Sequence, residues 1–185
     1  MATSLSSGNG PTTAHPGART IIGIIACIIL AGIFLFAGIG KLAEMGQMPG
    51  QTEYLDKMIP DFLLTPQLAQ FIGLVFIPYI LPVTETILGL LLLAGFFIKI
   101  DSIISIMLSG IFMFNNIWMI SHGIDKYPDC ACFGIWETVM GPVSPAISLQ
   151  IDILMVILAL IIIFVQPGGI LSSQFWVANI IKKKA

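Results

Sequence analysis

Four stretches of this 185-residue chain are too long and too apolar to belong to a water-soluble globule. Residues 21–39, "IIGIIACIILAGIFLFAGI", run without a charge, and as a helix at about 1.5 Å per residue they cross a hydrocarbon core of about 30 Å. Residues 68–98 carry one charge, Glu85; residues 102–120 carry none; residues 146–165 carry only Asp152. The expected fold is an all-α integral membrane protein, a bundle of four transmembrane helices with both termini on one side.

Composition agrees, with 57% hydrophobic against 10% charged residues, a balance foreign to soluble domains. The net charge of −2 selects no partner, and no basic patch points to nucleic acid. Residues 1–19 are rich in Ser, Thr, Gly and Pro, lack a basic start, and read as a disordered cytoplasmic tail rather than a cleaved signal peptide. Residues 20–166 form the membrane domain. "QPGG" ends the fourth span, and residues 167–185 read as an interfacial cytoplasmic tail with Trp176 at headgroup level. "TEYLDKMI", in the first long loop, predicts a short helix started by Thr52. Pro78 and Pro82 either kink the second helix or mark its start.

Orientation follows the Lys/Arg bias of the loops. Arg19, Lys99, Lys182, Lys183 and Lys184 lie on the side of the termini and of an expected loop at 99–101, against Lys41, Lys57 and Lys126 opposite. This excess places the termini in the cytoplasm and residues 43–67 and 121–145 outside a cell membrane crossed several times. The outer loop contains "YPDCACFG", with Cys130 and Cys132 one residue apart and facing an oxidising compartment.

The pair has three readings. The thiols are incidental; or they bind copper(I) with a methionine such as Met119, the chain offering only His15 and His122 besides; or they exchange disulfides. A Cys-x-Cys disulfide closes a small ring, and a strained, exposed bond is oxidising enough to be passed on. Cys130 and Cys132 are the candidate catalytic pair. Cys27, mid-span, reads as packing.

Three motifs, "AGIGKL" ending the first span, "PVTETILGLLLLAG" in the second and "DCACFG" after the third, resemble the DoxX-like superfamily and, more closely, its methylamine-utilisation branch, MauE, over residues 20–166. The resemblance implies a four-helix membrane bundle that helps form disulfides in a periplasmic dehydrogenase subunit beside a thioredoxin-like partner. DoxX relatives include a subunit of a thiosulfate:quinone oxidoreductase, so a quinone is the cofactor the resemblance suggests.

Depth along the helices adds a second candidate group. Glu85 lies about 21 Å from Lys99 along the helix axis, in the outer half of its span. Lys41 ends the first span, Asn115 and Asn116 stand near the outer end of the third, Asp152 lies two turns into the fourth, and His122 and Gln150 border the cysteine loop. These polar residues concentrate beneath the thiols. They either tie helices together or handle protons at a quinone-side site. Glycines 32, 38, 40, 89, 95 and 110 are candidates for close helix approach.

The leading expectation is thiol–disulfide exchange with a thioredoxin-like or substrate protein on the outer side. The rival is an accessory subunit of a larger membrane complex whose disulfide only staples the loop. A transporter is the third, and no inverted repeat supports it.

Overall fold

The computed structural model describes residues 18–45, 65–124 and 133–165. The 52–59 helix, the C-terminal tail, the N-terminal tail up to residue 17 and the two thiols of the 127–134 motif lie outside the described residues; Ala18 and Arg19, expected in the tail, already belong to the first helix. All regular structure among the described residues is helical: α1 (Ala18–Ala43), α2 (Pro66–Phe71), a π-helical stretch (Ile72–Ile80), α3 (Leu81–Ala94), α4 (Ile98–Ser121), α5 (Trp136–Met140) and α6 (Pro145–Val165). Among the described residues, four helices are long and apolar enough to cross a membrane: α1, the π-helical stretch continued by α3, α4 and α6.

The helix ends follow local chemistry. Thr65 Oγ1 accepts the Leu68 N–H ahead of Pro66, and Ser144 Oγ accepts the Ile147 N–H ahead of Pro145. Each pairs an N-cap hydroxyl with a proline in the first turn, where its missing N–H costs nothing. Gly95, at φ 78°, ends α3: its N–H reaches the Leu92 carbonyl and the Phe96 N–H reaches that of Leu91, the Schellman pattern. The connection to α4 is therefore at residues 95–97. The loop expected at 99–101 is corrected by this, since Lys99 and Asp101 already lie in the first turns of α4.

Pro82, in the first turn of α3, marks its start, as one of the two readings expected, and Pro78 lies in a π-helical stretch and not at a plain kink. A proline cannot donate and crowds the carbonyl four residues back; the wider π turn changes that register, and the Leu81 N–H donates five residues back to Phe76.

Helix α1 packs on α3 and α6, and α6 packs most extensively on α4, whereas α3 and α4 touch less despite their short connection. The order around the bundle is α3, α1, α6, α4. Antiparallel crossing of α1 and α3 relies on two small residues. A Cβ on Gly38 would lie 2.5 Å from Thr86 Oγ1, and one on Gly89 would lie 2.7 Å from Leu35 Cγ. Gly32 and Gly110 have nothing within 4 Å and do not serve close approach.

The apolar core joins Leu30 and Phe34 of α1, Leu88 and Leu92 of α3, and Met155, Ala159 and Ile162 of α6. Outward faces are apolar as well, with Met107, Ile111 and Phe164 among the most exposed side chains. Polar groups therefore point inward, as expected where lipid replaces water.

Candidate functional site

The buried stripe of α1 repeats at three- and four-residue intervals through Leu30, Phe34, Ala37 and Lys41. Lys41 is thus aimed into the bundle by the same periodicity that aims the leucines. On α3 the equivalent stripe runs through Leu81, Glu85, Leu88 and Leu92. Antiparallel packing brings the two charges together, and Lys41 Nζ donates to Glu85 Oε1 at 2.6 Å. The ammonium also stands 5.3 Å from the centre of the Phe112 ring of α4, within cation–π range. Glu85 is 1% exposed, and its second oxygen, Oε2, has no hydrogen-bond partner among the described residues.

Across the bundle, Asn116 Nδ2 donates to Asp152 Oδ2 at 2.7 Å and to Ser148 Oγ at 3.2 Å, joining α4 to α6. Phe112, the ring facing Lys41, lies one helical turn from Asn116 on α4, so the two polar pairs are neighbours in one cluster contributed by all four spans.

Not every residue expected in that cluster enters it. Asn115, one residue from Asn116 and about 100° around the helix, places its amide 3.9 Å from the sulfur of Met119. His122 is exposed at the end of α4, stacked on Trp118 with its Nδ1 2.9 Å from the Trp118 carbonyl. Because a carbonyl only accepts, Nδ1 carries the proton in that bond. Gln150 is exposed on α6. Met119 is buried against Trp118 and Ile124. Among the described residues, no three His, Cys, Asp or Glu side chains gather as a metal site requires.

The arm that follows the cysteine motif is anchored directly over the cluster. Gly134, at φ 57°, lies against the backbone of Gly40 and Lys41, and a Cβ on Gly40 would collide with the Phe133 carbonyl and the Trp136 ring. Only two facing glycines allow this approach. The Ile135 N–H donates to the Gly40 carbonyl, and Trp136 Nε1 donates to that of Phe36 at 2.9 Å. The Trp136 ring stacks on Phe36 at 5.0 Å between centroids. Glu137 closes the arm on itself by accepting from the Phe133 and Val143 N–H groups. The segments "AGIGKL" and "FGIW", nearly a hundred residues apart, therefore meet in one contact.

Sequence reasoning missed a further set of buried polar residues, Asp101, Ser102, Ser105 and Ser109 on α4. Their spacing of three and four residues, in phase with Asn116, was the available signal.

Four apolar spans enclosing a buried ion pair, with a loop arm locked above it, define a multi-pass integral membrane protein with a polar interior. The family model described as methylamine utilisation protein MauE matches residues 19–165, and the chain belongs to that family. No curated protein and no solved structure matches it.

Proposed function

We propose that this MauE-family protein is a thiol–disulfide exchange protein of the cell membrane, serving methylamine utilisation, with Cys130 and Cys132 as the exchanging pair on the outer side. The observation that carries this reading is the contact between Gly134 and Gly40. A peptide bond joins Cys132 to Phe133, and the segment beginning at Phe133 is held on α1 beside Lys41. The segment that continues from the thiols is thereby fixed beside the Lys41–Glu85 ion pair.

The exchange balances between proteins. A thiolate of the substrate protein attacks one sulfur of the Cys130/Cys132 disulfide; that S–S bond breaks and a mixed disulfide forms. The substrate's second thiolate then resolves it. The substrate gains a disulfide, while two electrons and two protons pass to Cys130 and Cys132. A thioredoxin-like partner bearing a disulfide takes them back by the same steps reversed. Glu85, bonded to Lys41 through one oxygen only, is the carboxyl suited to hold a proton during the cycle. Glu85 and Asn116 are each 1% exposed, so a quinone ring does not fit against them in this conformation and no step runs through one.

The accessory-subunit reading needs the disulfide as a staple, yet the arm after Cys132 is already held by the glycine contact and the Trp136 and Glu137 bonds. Trapping decides between the two. Cys130→Ser or Cys132→Ser, expressed in cells and resolved without reductant, leaves one thiol able to capture a partner covalently. A reducible adduct containing a thioredoxin-like or substrate protein is the expected result. Wild-type partner oxidation with no adduct in either variant overturns exchange, and loss of the protein without an adduct favours the staple.

A further inference from the structure

The arm between α4 and α6 turns apolar side chains away from the protein. Ile135, just before α5, and Val139, four residues on, share one face of the short helix, with Met140 beside them at its end. Val139 is 80% exposed and Met140 61%. Trp136 is turned onto Phe36 instead.

The level of the arm decides what those side chains meet. The bonds from the Ile135 N–H to the Gly40 carbonyl and from Trp136 Nε1 to the Phe36 carbonyl set the start of α5 beside the last two turns of α1. Phe36 and Ile39, at this level of α1, belong to the apolar outward surface of the span. The level also falls short of the rim of the bundle. Beyond Phe112, the ring that faces Lys41, α4 continues to Ser121, a further 14 Å or so, about 14 Å being two and a half turns. The five residues of α5 extend only about 7 Å, so Val139 and Met140 stay near the level at which the arm docks.

A segment at that depth has no water for its backbone, and this one does without it. The N–H groups of Phe133 and Val143 both donate to the Glu137 carboxylate, and those of Glu137, Thr138 and Gly141 donate to carbonyls of the arm itself. Pro142 has no N–H to satisfy. Even the exposed Thr138 hydroxyl donates to the Ile135 carbonyl, at 2.6 Å. The irregular residues Phe133, Gly134, Gly141 and Val143 are buried or half-buried, and the helical turn carries the exposed face. This is the condition hydrocarbon sets, where irregular backbone persists only against protein.

We propose that the arm is a re-entrant element set in the leaflet on the cysteine-loop side, with Ile135, Val139 and Met140 in contact with lipid acyl chains. The occupant of the face is hydrocarbon, continuous with that around Phe36 and Ile39. Lipid thus adds to the glycine contact in holding the arm. The inference is independent of the thiol chemistry.

Trp136 can report its own depth. The full-length chain carrying Trp118→Phe and Trp176→Phe keeps this indole alone of the three, and it is reconstituted in phosphatidylcholine liposomes with nitroxides at shallow or deep acyl positions. The lipid nitroxides should quench Trp136 and place it within about 15 Å of the midplane, inside the hydrocarbon, while aqueous acrylamide quenches it little. A position outside that limit overturns the immersion, and failure of every lipid nitroxide to quench means that protein covers the face, which overturns the lipid contact. Val139→Asp in the otherwise native chain puts a charge among the acyl chains. Proteolysis between spans three and four should then quicken about three-fold or more, and Val139→Leu should stay within about two-fold of wild type. In water, so exposed a position tolerates either change, so equal digestion of both variants and the native chain overturns the proposal. The quenching measurement alters nothing in the arm and decides the matter whether or not the charged variant accumulates.

Discussion

Lys41 and Glu85, 44 residues apart, meet at 2.6 Å inside the bundle with almost no exposure to solvent. Each charge is tolerable there because of the other. Removing one partner strands a buried charge, whereas removing both leaves apolar neighbours to close in. Glu85→Leu or Lys41→Met alone should lower stability by about 3–5 kcal/mol, and the double variant should recover most of it. Unfolding of purified protein in mild detergent measures this; additive losses in the double variant would show that the two residues are not energetically coupled.

The proton-handling role proposed for Glu85 is separable from that ion pair. Glu85→Gln keeps the shape and an acceptor oxygen for Lys41 while removing the ionisable proton. The rate at which the Cys130/Cys132 pair is reoxidised in membranes should fall about ten-fold or more at normal abundance, within the range of general acid–base contributions. An unchanged rate would leave Glu85 a purely architectural group.

The anchored arm predicts opposite outcomes for one substitution at two kinds of glycine. Gly134→Ala places a Cβ against the backbone of Gly40 and Lys41 at a positive φ; the left-handed backbone alone costs about 1–2 kcal/mol. Proteolysis between spans three and four should quicken and Trp136 fluorescence should shift red. Gly32→Ala, in open space on a helix, should be neutral or gain about 0.5–1 kcal/mol. Equal effects at both positions would contradict the docked arm.

Sidedness rests on the lysine and arginine distribution, and a membrane-impermeant maleimide tests it. Added to intact cells after mild reduction, the reagent should label Cys130 and Cys132 while sparing Cys27, which is 0% exposed. Labelling of the loop only after lysis would reverse the orientation.

The number of spans is legible in the chain itself, because a run of apolar residues longer than the bilayer is thick has few other places to go. Glu85 and Asp152 are conspicuous for the same reason, as single charges in hydrocarbon. The inward aim of Lys41 is written in its spacing from Leu30, Phe34 and Ala37. Which helix neighbours which is not legible: in lipid the outward faces are all apolar, so hydrophobic pattern cannot rank partners. The ring order comes from small-residue contacts such as Gly38 against Thr86, whose partners lie on different helices.

Asn115 and Asn116 show the limit most plainly. Adjacent and chemically identical, they differ by about 100° of helix rotation, and only Asn116 meets Asp152. Glycines 40 and 134 are similar, ordinary in sequence and decisive only when α1 and the loop arm touch. The chain by itself determined four membrane helices, the few charges they carry and a close thiol pair in a loop, because lengths and residue types are properties of single segments. Only the tertiary structure decided which polar groups pair and which are left without partners, because hydrogen bonding depends on the rotation and register of one helix against another.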